Sequence, residues 1–300
     1  IDATGDATST AVYAATTIDI NDQWRVDFGV RNESHDIEYA VDTGVDGDID
    51  FVAIYDETEV SWTGALNYLF NDSMSGFVRI NQGSKMPYFD DFRDNQGAYA
   101  SGNNLIQEVD QFELGFHWVT DTLALYATGF FTEVDPTFFV ALAGQGAVIQ
   151  TQESSGIEID AIWDTGSPFT VSLNATIQDT EIKNGPSAGN ESPRQPGWQL
   201  RLTPTYDFQI GGMVDGTLYG TLIAVDDRWG EPENVNQLDG YEQIDLGVVF
   251  RVNDRFTVQV AADNITDEDA LTESDPRTIA APNGRYIMPR TLTFSIGYEF

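Results

Sequence analysis

The sequence predicts an all-β fold: an antiparallel up-and-down transmembrane β-barrel, of which this chain forms an incomplete part. Three observations lead to this prediction. Polar and apolar residues alternate with a period of two along most of the chain, and the connections between the alternating segments are short and long in turn. Large aromatic residues lie beside the short connections. Outer-membrane barrels combine all three features.

The alternation occurs in about 13 segments, close to the length of roughly 9–11 residues that a tilted transmembrane strand needs. The segment near 215–227 alternates least regularly. In chain order, the predicted strands cover residues 8–20, 23–38, 51–70, 75–85, 105–119, 123–134, 148–163, 168–181, 197–209, 215–227, 240–252, 255–266 and 288–300.

The segment 168–181 shows the pattern clearly. Polar residues such as Thr170, Ser172 and Asn174 separate its apolar residues, which are Phe169, Val171, Leu173, Ala175 and Ile177. Successive side chains of a strand point to opposite faces, so one face of this strand is apolar and the other polar. The segments 197–209, 240–252 and 288–300 repeat the pattern.

The short connections are rich in Asn, Asp, Gly and Ser, which favour tight hairpin turns. They lie at 21–22, 71–73, 120–121, 164–167, 211–212 and 253–254. The long connections cover 39–50, 86–104, 135–147, 182–196, 228–239 and 267–287. Short turns are periplasmic and long loops extracellular in outer-membrane barrels.

Aromatic residues near the short turns are expected at the lipid–water interface. They are Trp24, Phe70, Trp118, Trp163, Phe169, Phe208, Phe250 and Phe256, and Phe300 at the end of the chain joins the same rim. An odd number of strands, with the last one running toward the periplasm, predicts that at least one further strand lies outside this chain, because single-chain bacterial barrels have an even number.

The charge and composition exclude several classes of protein. The chain has 49 acidic and 14 basic residues, a net charge of −35, which disfavours binding to nucleic acid. It has no cysteine, which excludes disulfides and thiolate metal sites. Its longest apolar run, 138–143, is far shorter than the roughly 18 residues of a membrane helix. The first residues show no signal peptide, so we expect a mature or truncated form.

Three motifs resemble the TonB-dependent receptor family. The segment RINQGSKMPYFDDF (79–92) resembles the family's strand running into a loop, and EVDQFELG (108–115) is similar to the strand that leaves it. DNITD (263–267), MPR (288–290) and the terminal strand 291–300 closely resemble the family's last hairpin. The resemblance covers most of the chain, and the last hairpin is its most specific part.

The resemblance implies that residues 1–300 are part of a barrel of about 22 strands, with the plug domain and the first strands absent from this chain. It implies a receptor in the outer membrane of a Gram-negative bacterium that captures a scarce nutrient, such as a siderophore, a vitamin or an oligosaccharide, and imports it with energy from TonB. The implied partners are outer-membrane lipid, the nutrient ligand, the TonB complex through the missing plug, and the barrel assembly machinery. The assembly signal corresponds to Phe294, Ile296, Tyr298 and Phe300.

Two loops carry candidate ligand-binding residues, because aromatic faces combined with amide and guanidinium donors suit sugar rings or aromatic siderophores. Packing of the same side chains over the barrel mouth is the alternative. In the loop 86–104 the candidates are Tyr88, Phe89, Phe92, Arg93, Asn95 and Tyr99, and in the last loop they are Arg277, Arg285 and Tyr286.

No catalytic, metal or cofactor site is predicted, and we do not expect an enzyme. His35 and His117 lie in different predicted hairpins, with His117 on the lumen face. The acidic run 42–50 is interpreted as a solvated loop tip, with a weak calcium site as the alternative. The lumen-facing arginines are expected to pair with carboxylates across the wall; they are Arg25, Arg31, Arg79, Arg201 and Arg251.

Two other functions fit the composition. One is a passive outer-membrane barrel or a barrel-borne adhesin that needs no energy. The other is a soluble, secreted, acidic carbohydrate-binding β protein, which would stay folded and monodisperse without detergent.

Overall fold

The computed structural model describes residues 2–102, 105–139, 148–252, 255–274 and 283–300. The secondary structure contains many strands and two short helices, α1 (Phe89–Asp94) and α2 (Gln96–Ala100). Within the described ranges, no helix has the length and hydropathy needed to cross a membrane. The strands are β1 (Asp2–Asp19), β2 (Trp24–Asp42), β3 (Phe51–Asn71), β4 (Met74–Lys85), β5 (Gln107–Val119), β6 (Leu123–Phe139), β7 (Val148–Asp164), β8 (Phe169–Ile182), β9 (Trp198–Ile210), β10 (Val214–Val225), β11 (Arg228–Trp229), β12 (Gln237–Leu238), β13 (Tyr241–Val252), β14 (Phe256–Asp263), β15 (Leu271–Ser274), β16 (Gly284–Tyr286) and β17 (Thr291–Tyr298).

Thirteen of these strands form one antiparallel sheet, as the sequence predicts. They follow one another in chain order, except that β10 pairs with β13 and β14 pairs with β17. The four remaining strands form two small hairpin sheets inside long loops, β11 with β12 and β15 with β16. The predicted up-and-down topology is therefore confirmed, and β1 and β17 are the two edges of the sheet.

The predicted strand bounds agree with the structure to within a few residues for most strands. Three strands extend clearly beyond their predicted bounds: β2 continues to Asp42, into the predicted loop 39–50, and β1 and β6 are longer as well. β1 begins at Asp2 because residues 2–7 pair with 37–42 of β2, although they lack apolar alternation. β6 continues to Phe139, where its ladder with β7 resumes after an irregularity between Val134 and Thr137.

The two faces of the sheet differ in polarity as predicted. On the outward face, apolar residues oppose each other across neighbouring strands, as in the row Leu173, Leu202 and Leu222 on β8, β9 and β10. This face meets hydrocarbon in an outer-membrane barrel. On the inward face, three of the five arginines named from the sequence bind carboxylates: Arg25–Asp19 (2.7 Å) and Arg79–Glu113 (2.5 Å) join neighbouring strands, and Arg31–Glu33 (3.0 Å) lies along β2.

Side-chain hydrogen bonds close the short turns. Asn21 Oδ1 accepts bonds from the backbone N–H groups of Gln23 and Trp24 at 2.9 and 3.0 Å. Asn71 Oδ1 accepts one from Ser73 N at 2.9 Å. These Asx-type turns satisfy backbone donors that the strand ladders leave free. The turn 253–254 lies outside the described residues.

In three pairs of neighbouring strands, an aromatic ring on one strand lies over a glycine that is its register partner on the other. Phe77 covers Gly115, Phe208 covers Gly216 and Tyr219 covers Gly247. A Cβ atom on Gly247 would lie 2.2 Å from the Tyr219 ring. The glycine therefore gives the ring the space in which it packs flat on the sheet.

Gly247→Val is expected to lower barrel stability by about 1–3 kcal/mol, because the added side chain must displace the Tyr219 ring. The measurement is the urea concentration at which half of the detergent-solubilised receptor is unfolded. The folded and unfolded forms are distinguished by their different mobilities in unheated gels. The matched control is Gly64→Val, since a Cβ atom on Gly64 meets nothing within 4 Å. Equal midpoints for the two variants would show that the Tyr219–Gly247 packing does not stabilise the sheet.

The main buried apolar cluster lies at the long-loop end of the inward face, over β2 and β3. Its members are Ile37, Tyr39, Val41, Ala53, Tyr55, Met86, Phe92, Ala98, Leu105 and Ile106. The first five belong to the strands and the others to the loop between β4 and β5. The sheet thus holds the folded loop between β4 and β5 against its inner wall.

Candidate ligand-binding site

The loop between β4 and β5 folds into a compact structure, here called the cap (residues 86–102, with 105–106). The backbone N–H of Tyr88 donates to Asp91 Oδ2 at 2.8 Å, which fixes the start of α1. Asn95 joins the two helices: its backbone N–H and its side-chain amide both donate to Asp91 O, at 3.0 and 2.9 Å. Acidic residues Asp90 and Asp91 lie in the first turn of α1, where they favour helix formation.

Phe92 anchors the cap to the wall. Its side chain is fully buried, at 0% exposure. Its ring centroid lies 5.4 Å from that of Tyr55 on β3, 6.5 Å from that of Tyr39 on β2, and 5.5 Å from that of Tyr99 on α2. Edge-to-face and stacked aromatic packing of this kind adds to the free energy of apolar burial.

Tyr99 covers an exposed backbone edge. The ladder between β3 and β4 begins at Trp62, so residues 51–61 of β3 have no partner on β4. The Tyr99 hydroxyl donates to Ile54 O at 2.5 Å and accepts from Ile54 N at 3.1 Å. It therefore satisfies both backbone polar groups of Ile54 in place of a neighbouring strand.

His35 connects the cap to β1 and β2. It is buried, its Nε2 lies 3.2 Å from Pro87 O, and its Nδ1 is hydrogen bonded to the Ser9 hydroxyl. His35 therefore has a structural role, because its hydrogen bond to Pro87 O holds the start of the cap. His117 lies on the inward face as predicted, between the rings of Phe77 and Tyr126, at 5.5 and 4.9 Å between centroids.

The exposed surface of the cap carries Tyr88 and Arg93, and Lys85 at the end of β4 lies beside it. Tyr88 is 65% exposed, and the Lys85 ammonium lies 5.9 Å from its ring centroid. The Arg93 guanidinium binds Asp94 at 2.7 and 2.9 Å and Asp90 at 2.8 Å. The hydrogen bonds to Asp94 raise the pKa of Arg93 above its ordinary value, so the guanidinium stays charged while two carboxylates already bind it.

Below the cap, the inward face forms a cavity of ≈ 530 Å³. Tyr13, Arg31, Arg79 and Asn81 face into it, over a floor that includes Gly29 and Gly83. The cavity combines an aromatic ring, the Asn81 amide and two arginines, whose guanidinium groups bind Glu33 and Glu113. The cap and this cavity lie on the same inward face of β1–β4.

Three other loops form a second structure, here called the outer loop cluster (residues 183–197, 226–240, 264–274 and 283–290). Arg228 is 5% exposed, and its guanidinium donates to Leu271 O at 2.9 Å and Thr272 O at 3.1 Å. It also lies 5.8 Å from the Tyr241 ring centroid. One buried side chain thus joins β11 to β15.

A second connection in the outer loop cluster runs through Glu273. This carboxylate binds Arg194 at 2.7 Å and Arg285 at 3.1 Å. Arg194 also donates to Ser274 O at 3.0 Å, and its backbone N–H donates to Trp229 O at 2.7 Å. All three loops are therefore linked by hydrogen bonds and ion pairs.

The candidate ligand-binding residues lie in two separate loop structures, and only some of them are exposed. In the cap, Tyr88 and Arg93 are accessible, Phe89 is half-buried, and Phe92, Asn95 and Tyr99 pack the loop or join its helices. In the outer loop cluster, Arg285 and Tyr286 lie on β16 and are exposed. Arg277 lies outside the described residues. The cap candidates lie over β2 and β3, whereas β16 lies in the loop before β17.

Sequence reasoning missed Arg194, Arg228 and Glu273, which organise the outer loop cluster. They occur in loops without any periodic pattern, and their contacts join residues about 40 to 80 positions apart in the chain, as for Arg194 with Ser274 and Arg228 with Leu271. No local signal in the sequence marks them.

The acidic run 42–50 uses its carboxylates within the loop. Asp42 Oδ2 accepts from Gly47 N at 2.7 Å, and Asp50 Oδ2 accepts from Thr43 N at 2.7 Å and from its hydroxyl at 2.5 Å. The Thr43 hydrogen bonds hold the pKa of Asp50 below its ordinary value. In the part of the chain that the structure describes, no group of three or more His, Cys, Asp or Glu residues has the geometry of a metal site.

The chain matches one family model, described as TonB dependent receptor-like, beta-barrel, over residues 1–265. The probable TonB-dependent siderophore receptor PiuA of Acinetobacter baumannii is 25% identical, over 90% of this chain and 38% of that protein. The ferrichrome outer membrane transporter/phage receptor of Escherichia coli strain K12 is 22% identical, over 70% of this chain and 27% of that protein.

The solved structure of the ferric yersiniabactin uptake receptor FyuA from Yersinia pestis has the same fold. It superposes with a TM-score of 0.82 at 17% identity, and the match covers 99% of this chain and 47% of FyuA. This chain therefore spans less than half the length of each of these proteins.

Proposed function

Because the chain belongs to the TonB-dependent receptor family, we propose that the receptor of which it is part captures a ferric siderophore at its extracellular loops and imports it with energy from TonB. One relative is a probable siderophore receptor and another a ferrichrome transporter, which supports a siderophore as the cargo, ahead of a vitamin or an oligosaccharide. The observation that carries the proposal is the cap: a folded loop, packed on the inner wall, with Tyr88 and Arg93 accessible above an arginine-lined cavity.

Family membership settles three of the broader predictions. Members are receptors of the Gram-negative outer membrane and not enzymes, which confirms the predicted location and the absence of catalysis. The alternative of a soluble, secreted carbohydrate-binding protein is wrong for the same reason.

The domain organisation is part of the proposal. Residues 1–300 would form part of a barrel domain that has about 22 strands in all. Further strands would complete the barrel, and a plug would reach TonB. The free edges of β1 and β17 support this, because an open sheet edge in lipid leaves backbone groups without hydrogen-bond partners. The outward row Phe294, Ile296, Tyr298 and Phe300 is the proposed signal for the barrel assembly machinery.

The test is uptake of radioactive iron by a bacterial host that lacks its own siderophore receptors and expresses the full-length receptor. The probes are ferrichrome, a ferric catecholate and ferric citrate. We expect one of them to enter the cells, and we expect uptake to stop in a matched host without TonB. Uptake that persists without TonB would identify a passive barrel instead, and no uptake of any probe would contradict siderophore cargo.

Tyr88→Ala is expected to weaken binding of the imported probe by about tenfold, because tyrosine is enriched among the contact residues whose truncation costs about 1 kcal/mol or more. The dissociation constant is measured on the detergent-solubilised receptor. Val45→Ala is the matched control, since Val45 is 62% exposed at the tip of the adjacent loop. An unchanged dissociation constant for Tyr88→Ala would remove Tyr88 from the site.

A further inference from the structure

The outward face carries an apolar groove on its periplasmic half. The groove has a volume of ≈ 680 Å³ and extends from β2 to β7. Trp24, Tyr68 and Phe70 border it on one side and Ile157 on the other. The outward face of this part of the sheet is predicted to meet membrane hydrocarbon.

The groove exists because small residues face outward between large ones. On β6, Ala127 and Gly129 lie opposite Phe116 and Leu114 of β5. On the other side of β6, Gly129 is the register partner of Ile157 on β7. Ala127 and Gly129 therefore form a depression on β6, between Leu125 and Phe131 along the strand and between the ridges formed by the larger side chains of β5 and β7 on either side.

Gly129 is not needed for tight packing of the sheet. A Cβ atom built on it would meet nothing closer than 3.9 Å. Its φ is not in the left-handed region, so the backbone there accepts any residue. A larger side chain at this position would fill the groove without a clash.

The lining is suited to hydrocarbon and not to a peptide. Its side chains are almost entirely aromatic, aliphatic or absent. A peptide backbone placed there would leave its N–H and C=O groups without partners in lipid, at a cost of several kcal/mol for each group. An acyl chain has no such groups, and it fills the space between the ridges by dispersion contacts alone.

The charge at the periplasmic end selects among lipid headgroups. The three turns beside the groove, 20–23, 72–73 and 120–122, expose Asp22, Asp72 and Asp121 and contain no lysine or arginine. This end of the groove repels an anionic headgroup and attracts an ammonium group. Trp24 and Tyr68, whose rings lie 4.4 Å apart between centroids, occupy the interfacial level where a headgroup would lie.

We propose that this groove binds one phospholipid of the periplasmic leaflet, with an acyl chain over Ala127 and Gly129 of β6 and an ammonium-bearing headgroup attracted by the combined negative charge of the turns that carry Asp22, Asp72 and Asp121. The site is distinct from the cap and the cavity, because it lies on the opposite face of the sheet.

The test is native mass spectrometry of the full-length receptor, purified in detergent with added phosphatidylethanolamine or phosphatidylglycerol of identical acyl chains. We expect the wild type to retain one phosphatidylethanolamine and at least fivefold less phosphatidylglycerol. Gly129→Leu is expected to lose the bound phosphatidylethanolamine. Gly64→Leu is the matched control and is expected to retain it, because Gly64 also lies on the outward face, with nothing within 4 Å of a Cβ atom, but outside the groove.

Loss of the lipid from both variants, or from neither, would overturn the proposed position. Equal retention of the two lipids would overturn the role of the three aspartates. If Gly129→Leu fails to fold, as judged by its mobility in unheated gels, Leu114→Ala serves instead, since it flattens the ridge on β5. Retention of the lipid by folded Leu114→Ala would then contradict the groove.

Discussion

Phe92→Ala is expected to detach the cap from the inner wall and to abolish high-affinity ligand binding. The side chain is fully buried among Tyr39, Tyr55 and Tyr99. Removal of a buried phenylalanine side chain costs about 3–5 kcal/mol. The helices α1 and α2 are too short to persist without this anchor, because isolated short helices are unstable in water.

Hydrogen exchange of the receptor in detergent measures this effect. The amides of residues 91–102 are expected to lose protection in Phe92→Ala, while those of β8 and β9 keep it. Tyr88→Ala is the control on the same loop, because its exposed side chain does not hold the cap. Unchanged protection of residues 91–102 in Phe92→Ala would show that the cap is held by other contacts.

Arg228→Met is expected to loosen the contact between β11 and β15 in the outer loop cluster, while the links through Arg194 and Glu273 remain. The methionine fills much of the space but donates no hydrogen bond, so Leu271 O and Thr272 O lose their donor. A buried acceptor left without a partner costs about 1–3 kcal/mol. The loss of the guanidinium also removes the contact with the Tyr241 ring.

The same hydrogen-exchange experiment separates this result from a general loss of stability. In Arg228→Met, the amides of β11, β12, β15 and β16 are expected to exchange faster, with no change in the cap. Arg285→Met is the control, since Arg285 is 82% exposed and its ion pair with Glu273 is of the exposed type that contributes roughly 0–1 kcal/mol. Equal effects of the two substitutions would contradict the central role of Arg228.

The strands could be predicted from the sequence because one physical rule acts on each of them. Hydrocarbon outside and water inside impose a period of two, and this holds in β8, β9, β13 and β17 alike. β10 was the least regular prediction, and pairing with β9 and β13 still makes it a strand. The start of β1 was missed because residues 2–7 have no apolar alternation, and only the pairing with β2 reveals it.

The loops could be predicted only in part. The residues of the cap were identified, but their roles were not, since Phe92 and Tyr88 have similar chemistry and only the fold buries one and exposes the other. The helices α1 and α2 span six and five residues, too few for a helical period to show in the sequence. Arg228 and Glu273 join loops that are distant in the chain, so their role depends on the tertiary structure alone.

The orientation of the sheet in the membrane is the central claim, because the cap, the cavity and the groove all take their roles from it. This chain has no cysteine, and any cysteine elsewhere in the full-length receptor is first replaced by serine, so that a single introduced thiol reports its own position. Tyr88→Cys and Arg285→Cys place thiols on the long loops, and Asp72→Cys and Asp121→Cys place them on the short turns. Intact cells expressing the full-length receptor are treated with a membrane-impermeant maleimide. The orientation predicts that the two loop cysteines react in intact cells and that the two turn cysteines react only after the outer membrane is permeabilised. Reaction of the turn cysteines in intact cells, with the loop cysteines protected, would contradict it.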